Sequence, residues 1–145
     1  MTKEQKEKIK WLNRAFRAEK KLGALYYHKE RDKDRAKHIT AAYGGNIKGK
    51  SDSRENAVEK AFITYSGSTE KYDRFLDNYI SIRGEIEKSI ESLHDDEIEA
   101  IFTYRYLDYL TMEKIAEKMH YDKRTIIRKH KEGIEKLSPN VTLCH

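Results

Sequence analysis

The chain has 145 residues, of which 38% are charged, with a formal net charge of +5 and a single proline. This length allows one domain or two small ones, and the scarcity of helix breakers favours long solvated helices over sheets. The single cysteine, Cys144, excludes an intrachain disulfide and indicates a reducing, cytoplasmic setting. No apolar run approaches the roughly 20 residues of a membrane span, and the charged start MTKEQKEKIK lacks a signal-peptide core. We therefore expect a cytoplasmic, all-α protein that does not bind membranes.

Residues 1–93 are predicted to form a long antiparallel helical hairpin. Apolar residues recur at helical spacing over about residues 3–38. A glycine-rich stretch at about residues 40–52 then predicts a loop, and Asp52 with Glu55 predicts a capping box at the start of the next helix. Two long helices joined by a loop of about a dozen residues favour an antiparallel pair.

The second long helix carries a heptad seam that is typical of a coiled coil. The seam keeps its phase across 66–68, so we expect the helix to continue there. Thr69 and Arg83 are its polar interruptions. The seam indicates packing, either within one chain or between the chains of a homodimer. Its members are Val58, Phe62, Tyr65, Thr69, Tyr72, Leu76, Tyr79, Arg83, Ile86, Ile90 and Leu93.

Residues 94–138 predict a separate domain of three short helices, followed by a frayed tail at 139–145. Each helix begins at a residue type that caps helices well, and Pro139 stops the last one. The predicted helices run from Asp95 or Asp96 to about Leu107, from Thr111 to about Met119, and from Asp122 to about Leu137.

The last two of these helices fit the apolar pattern of a helix-turn-helix. That motif needs a buried pair on the first helix, a small residue at the crossing, a residue that seals the turn, and a buried anchor on the second helix. His120 stands where glycine is common, and histidine tolerates positive φ better than most residues. The matching positions are Ile115 and Met119, Ala116, Tyr121, and Ile126.

The second helix of this motif is predicted to carry a focused positive charge. Five cations and no carboxylate lie in 123–131, whereas charges of both signs mix elsewhere in the chain. Recognition helices read bases with their N-terminal residues, which here include Lys123, Arg124 and Arg128. Ile127 either touches a thymine methyl group or packs. The alternative interpretation is an ordinary solvated basic helix.

The segment YRYLDYLTMEKIAEKMHYDKRTIIRKHKEGIEKL resembles region 4 of bacterial sigma factors, the part that binds the −35 promoter element. Over roughly residues 11–137, the chain resembles a family of Gram-positive phage and prophage proteins, the ArpU/RinA-type regulators of late genes. WLNRAFRAEKKLGAL and SDSRENAVEKA match the layout of that family. Nothing like sigma region 2 is present, so the chain is not expected to melt a promoter.

This resemblance implies a sequence-specific transcriptional regulator, an activator of phage genes in the bacterial cytoplasm. It implies double-stranded DNA as a partner and RNA polymerase as a second one. It also assigns contacts to residues of this chain. The implied groove-facing positions are Lys123, Arg124, Thr125 and Arg128, and the implied phosphate contacts are Thr111 and Lys131.

No pattern in the sequence predicts an enzyme, a metal site or a cofactor. GGNIKGKS formally satisfies the P-loop spacing from Gly44 to Ser51, but no buried strand precedes it, as a working P-loop requires. Two non-enzymatic alternatives stay open. One is the DNA-recognition subunit of a phage small terminase, and the other is a protein-binding module such as an RNA polymerase appropriator or anti-sigma protein.

Overall fold

The computed structural model describes residues 1–43 and 52–138, and within these ranges the protein is all-α, as predicted. The glycine-rich loop with its GKS pattern, the side chains of the proposed Asp52–Glu55 capping box and the tail from Pro139 lie outside the described residues. The helices are α1 (Lys3–Leu12), α2 (Arg14–Tyr43), α3 (Asp52–Glu91), α4 (Asp96–Phe102), α5 (Met112–Met119) and α6 (Lys123–Lys136).

The chain divides into two compact units, and the division differs from the predicted one at 93/94. Unit 1 comprises Met1–Glu19 and the chain from Tyr79 onward, and unit 2 comprises Lys20–Asn78. The reason lies in the core of unit 1. Its buried side chains come from α1, the start of α2 and the end of α3 as well as from the three C-terminal helices, so the C-terminal segment does not form a core alone.

The core of unit 1 contains the large buried side chains of the described structure. Members from the first and third helices include Leu12 and Ile86, both fully buried. Burying such a side chain stabilises a fold by about 1.5–3 kcal/mol. Further members, all almost completely buried, are Ile98, Ile101, Phe102, Tyr106, Ile115, Ile126, Ile134 and Leu137.

The start of the chain is helical because a capping box begins it. The Thr2 hydroxyl accepts a hydrogen bond from the Gln5 amide, and the Gln5 side chain accepts one from the Thr2 amide, each at 3.2 Å. A turn at Asn13 separates α1 from α2. Lys8 Nζ donates to the carbonyl of Ile134 at 3.1 Å, which ties α1 to α6 within unit 1.

Unit 2 is an antiparallel pair of helices, as the sequence predicts for this part of the hairpin. Residue numbers rise along α2 as those of their partners fall along α3, which shows that the two helices run in opposite directions. The contacting pairs are Lys21 with Phe75, Tyr26 with Tyr72, and Asp32 with Ser68. The helices extend beyond the predicted loop boundaries, to Tyr43 on one side and from Asp52 on the other.

The heptad seam divides into a buried part and a half-buried part. Within unit 1, Ile86 and Ile90 lie in the core. Within unit 2, the seam side chains described are half-buried, and Phe62 is 50% exposed. The helix passes unbroken through 66–68, as predicted, and ends at Glu91, just before Leu93.

Both polar interruptions of the seam have partners. The Thr69 hydroxyl donates to the Tyr65 carbonyl one turn earlier, at 2.9 Å. After Phe102, α4 widens into a π-helical turn, Thr103–Leu107, before the predicted break. Arg83 donates to the carbonyl of Leu107, the last residue of this turn, at 2.7 Å. Arg83 thus satisfies one of the carbonyls that a helix end leaves unpaired.

Candidate nucleic-acid interface

The predicted helix-turn-helix is formed by α5, the turn at 120–122 and α6. α5 begins at Thr111, whose side chain accepts a hydrogen bond from the Lys114 amide at 3.3 Å. Ile115 and Ala116 are buried, and Met119 packs against the core, as expected for the first helix of this motif. The strongly two-sided distribution of apolar residues gives α5 one buried face over its eight residues.

His120 adopts the left-handed conformation that the turn requires, with φ 59° and ψ 41°. The amide of Tyr121 donates to the Ala116 carbonyl at 3.0 Å, and that of His120 donates towards the Glu117 carbonyl at 3.4 Å. This pair of bonds is the Schellman arrangement, which normally uses glycine at the left-handed position. His120 therefore occupies the left-handed position in place of glycine, and backbone hydrogen bonds close the turn.

Tyr121 does not seal the turn with its ring, and that expectation is wrong. The side chain is 38% exposed. Its hydroxyl donates to Glu97 Oε1 at 2.5 Å, while Lys129 Nζ donates to Glu97 Oε2 at 2.6 Å. Glu97 therefore links the first turn of α4 to the turn and to α6. These hydrogen bonds, from Lys129 first and then from Tyr121, lower the pKa of Glu97.

α6 begins at Asp122, as predicted, but the Asp122 side chain makes no capping hydrogen bond. The helix has two distinct faces. The inward face, which packs into unit 1, consists of Ile126, His130, Gly133 and Ile134, followed by Leu137 at the helix end. The outward face contains Arg124, Ile127, Arg128 and Lys131, all exposed.

These four exposed residues, here called the outer stripe, lie at the spacing that places side chains above one another on a helix. Ile127 is 46% exposed, so of its two predicted roles the structure excludes burial in the core. None of Arg124, Arg128 and Lys131 forms an ion pair with a carboxylate of the described residues. The outer stripe therefore combines three uncompensated cations with one apolar side chain.

The other two cations of 123–131 are already paired. Lys123 Nζ lies 2.6 Å from Glu113 Oε1, and Lys129 Nζ lies 2.6 Å from Glu97 Oε2. The hydrogen bond from Lys123 is the main cause that lowers the pKa of Glu113. Neither carboxylate is close to α6 in sequence, so the focus of charge in the structure is narrower than the five cations suggested.

The inward face of α6 rests on an aromatic cluster that the sequence did not reveal. His130 stacks on Phe102 with ring centroids 5.2 Å apart, and its Nε2 lies 2.5 Å from the Tyr106 hydroxyl. Burial, with the charge of Arg105 as a smaller cause, lowers the pKa of His130 from 6.5 to about 4. Burial also raises the pKa of Tyr106, so a neutral phenol and a neutral imidazole share this hydrogen bond at pH 7.

Gly133 allows α6 to approach α4 closely. A Cβ atom added at Gly133 would lie 2.5 Å from Phe102 Cε1 and 2.6 Å from Ile98 Cγ2, distances that real Cβ contacts do not show. The apolar pattern predicts Ala116 as the small residue of the motif but does not single out Gly133 as a second one. The available signal was a glycine on the apolar face of a predicted helix, seven residues after Ile126 and directly before Ile134.

The seven predicted site residues thus fall into four environments. Lys123 is exposed but paired with Glu113. Thr125 is half-buried beside the inward face, and Thr111 is exposed at the start of α5, away from α6 in sequence. The structure brings the remaining four together on the outer stripe, namely Arg124, Ile127, Arg128 and Lys131.

Comparison of the chain with protein-family models, with curated proteins and with solved structures gave no match. In the described ranges, 1–43 and 52–138, no helix combines the length and apolar character needed to cross a membrane. The same residues contain no group of three or more histidine, cysteine, aspartate or glutamate side chains placed to hold a metal ion.

Proposed function

We propose that this protein is a sequence-specific regulator of transcription that inserts α6 into the major groove of double-stranded DNA. The observation that supports this most is the outer stripe: its three cations have no carboxylate partner in the described structure, while the opposite face of the same helix is buried. Any amphipathic surface helix separates a buried face from a solvated one. In α6 the solvated face also concentrates cations without a carboxylate partner, which a recognition helix needs in order to meet DNA.

The chemistry of the outer stripe suits base edges in the major groove. Arginine can donate two parallel hydrogen bonds to guanine O6 and N7, a role open to Arg124 and Arg128. Ile127, exposed between them, suits the methyl group of thymine. Lys131 and, on α5, Thr111 suit phosphate oxygens, which fix register and orientation without reading sequence.

The proposal extends to transcription through the resemblance to sigma region 4 and to the ArpU/RinA-type regulators. On this proposal the protein activates phage genes by binding a promoter-like element, with RNA polymerase as a second partner. The described structure supports the DNA-contacting part of this proposal through the faces of α6. Polymerase contact rests on the resemblance alone.

The proposal also includes a homodimer formed through unit 2. Four large apolar side chains of this unit are half or more exposed: Tyr26, Tyr27, Phe62 and Ile63. Exposed apolar side chains of this size, on a helix pair that buries few others, favour association. Sedimentation equilibrium would test the dimer. A dimer would support a regulator that reads two half-sites, whereas a ring of eight or more subunits would favour the terminase alternative.

In the first experiment, sheared host and phage DNA is incubated with the purified protein, and the DNA that the protein retains is sequenced. Enrichment upstream of a gene block is expected for a regulator, and enrichment beside packaging genes would instead favour the terminase alternative. No enrichment, together with no DNA affinity at low salt, would favour the protein-binding alternative, because phosphate contacts strengthen as salt is lowered.

The selected site then serves to test the outer stripe. Arg124→Ala and Arg128→Ala are each expected to reduce discrimination between the selected site and random DNA by roughly 1–3 kcal/mol, since each removes a base contact. Fluorescence anisotropy with labelled duplexes measures both affinities.

Lys136→Ala is the matched control, because it removes the same charge from the same helix. Lys136 is exposed but pairs with Glu132 at 3.2 Å and lies off the outer stripe. It should leave discrimination unchanged. If the Arg124→Ala/Arg128→Ala double variant bound the selected site as tightly as the unmodified protein, α6 would not be the reading helix.

A further inference from the structure

Unit 1 contains a small pocket away from the outer stripe, formed where the start of α2 meets the segment after α4. Its volume is about 280 Å³. This lies just below the roughly 300–1,000 Å³ of clefts that hold drug-sized ligands, so the pocket suits a smaller group. The residues that line it are Asn13, Phe16, Arg17, Arg105 and Tyr109.

The pocket is positively charged and has no acidic lining residue. Neither Arg17 nor Arg105 forms an ion pair with a carboxylate of the described residues. Each guanidinium donates one hydrogen bond to a backbone carbonyl, from Arg17 Nη2 to Lys10 at 3.2 Å and from Arg105 Nη1 to Leu110 at 2.9 Å. A guanidinium has five N–H donors, so each keeps donors for a ligand.

The walls of the pocket are held by bonds that do not involve a ligand. The Asn13 amide donates to the Ile9 carbonyl at 2.9 Å, at the turn between α1 and α2. The Tyr109 hydroxyl lies 2.7 Å from that of Tyr79 and accepts from Arg83 at 3.3 Å. The Tyr109 and Phe16 rings pack with centroids 5.4 Å apart. The residues around the two arginines are therefore preorganised, which reduces the entropy lost when a ligand binds.

We propose that this pocket, lined by Arg17, Arg105 and Asn13, binds a phosphate group. A phosphate monoester carries close to two negative charges and three acceptor oxygens at pH 7, enough to accept hydrogen bonds from two guanidinium forks at once. A carboxylate has two oxygens and is satisfied by one fork. The side-chain amide of Asn13, which is distinct from its backbone N–H, adds a neutral donor, and the Phe16 ring can cover the ester side of a phosphate monoester.

The phosphate can come from two sources. A small phosphorylated molecule would place its phosphate between the arginines and its remainder against Phe16. A duplex backbone would place one phosphodiester there, with a single negative charge and two non-bridging oxygens to share between the two guanidiniums, while α6 reads bases. Arg105 is hydrogen-bonded to Leu110, which directly precedes Thr111, the cap of α5 and a proposed phosphate contact. The second source is therefore compatible with the proposed DNA binding. The phosphate site itself does not depend on that proposal.

The test follows the arginine Nε–Hε signals of the full-length, ¹⁵N-labelled protein by NMR. Sodium phosphate is titrated at pH 7 against sodium chloride of equal ionic strength, and adenosine monophosphate is titrated next. Saturable shifts are expected at Arg17 and Arg105, with smaller, linear shifts at Arg124 and Arg128. Arg17→Gln is expected to weaken binding about tenfold or more, the loss typical of a charge-assisted hydrogen bond.

Arg17 is exposed, so its substitution should leave the fold intact, and Arg105→Gln provides an independent second variant. Arg128→Gln is the control: it impairs the proposed base reading and should leave phosphate binding unchanged. Uniform, non-saturating shifts at all arginines would overturn the phosphate site. So would saturable shifts that persist unchanged in both Arg17→Gln and Arg105→Gln.

Two further arms identify the source once the site is established. Tighter binding of adenosine monophosphate than of phosphate would indicate a small ligand. A DNA affinity whose salt dependence falls by about one in Arg17→Gln would indicate a backbone phosphate. Equal affinity for both anions and an unchanged DNA salt dependence would leave inorganic phosphate as the ligand.

Discussion

At the scale of single residues, Gly133 is the described glycine most sensitive to added volume. Gly133→Ala should lower the free energy of unfolding by roughly 1–3 kcal/mol, because Phe102 and Ile98 must move to make room. Gly84→Ala is the matched control: nothing lies within 4 Å of a Cβ atom there, and the residue is also within a helix of unit 1. It should raise stability by about 0.5–1 kcal/mol. Urea unfolding followed by circular dichroism measures both, and equal effects would contradict the close approach of α4 and α6.

His130 is expected to make the free energy of unfolding depend on pH below neutrality. Its pKa is lowered from 6.5 to about 4 in the folded protein, so the unfolded chain binds this proton first as pH falls. The free energy of unfolding should therefore decrease between about pH 6.5 and 4, by up to roughly 3 kcal/mol from this residue, and level off below that range.

The control for this pH dependence is the double variant Tyr106→Phe/His130→Phe. It removes the titrating imidazole together with its hydrogen-bonding partner, so that no buried polar atom of the pair loses its partner. Urea unfolding from pH 7.5 to 4 should give a flatter curve for the variant. Parallel curves for the two proteins would show that carboxylates, and not His130, cause the acid sensitivity.

At the scale of elements, a polar contact joins the two helices of unit 2. The Asp32 carboxylate is 3% exposed and accepts a hydrogen bond from the Ser68 hydroxyl, which is the main cause that lowers the pKa of Asp32. Arg31 lies 3.4 Å from the other carboxylate oxygen. A buried carboxylate is tolerated only when such partners satisfy it. Asp32 therefore favours the register that brings it opposite Ser68.

Ser68→Ala is expected to destabilise this helix pair by about 1–3 kcal/mol, since it leaves one oxygen of a buried carboxylate without its donor. Ser66→Ala is the matched control, two residues earlier on the same helix and exposed. Thermal unfolding followed by circular dichroism compares the two. A loss of similar size for Ser66→Ala would mean that the effect comes from helix propensity and not from Asp32.

At the scale of the whole molecule, the two units differ in how much they bury. The described side chains of unit 2 that are buried are Ala36, Ala61 and Asp32, whereas unit 1 buries all of the largest side chains. Local opening is easiest where few apolar side chains are buried. Amide hydrogen exchange should therefore be faster at 57–75 than at 82–90, although both segments belong to α3.

This exchange experiment also tests the homodimer. If unit 2 pairs between chains, protection of 57–75 should rise with protein concentration, because association stabilises the bound state by mass action. Protection of 82–90 serves as the internal reference and should change less. Uniform protection along α3 at every concentration would contradict both the difference between the units and the dimer.

The sequence by itself determined the local features of this protein. Periodicity identified the helices, and capping residue types placed helix starts at Asp95 or Asp96, of which the structure uses Asp95, and at Thr111. The spacing of apolar residues separated the two faces of α6. Each of these features depends on residues within a turn or two of one another, so a linear pattern contains the necessary information. The continuation of α3 through 66–68 follows from the same periodicity.

The tertiary structure alone decided which residues from distant segments meet. Glu97 neutralises Lys129, Glu113 neutralises Lys123, and Phe102 requires glycine at position 133. The same holds for the assignment of 1–19 and 79–93 to the core of unit 1. These contacts depend on how whole helices pack, and a charge or a glycine looks the same in the sequence whether or not a partner faces it. The outer stripe therefore contains only three of the five cations in 123–131, because helix packing pairs the other two with carboxylates.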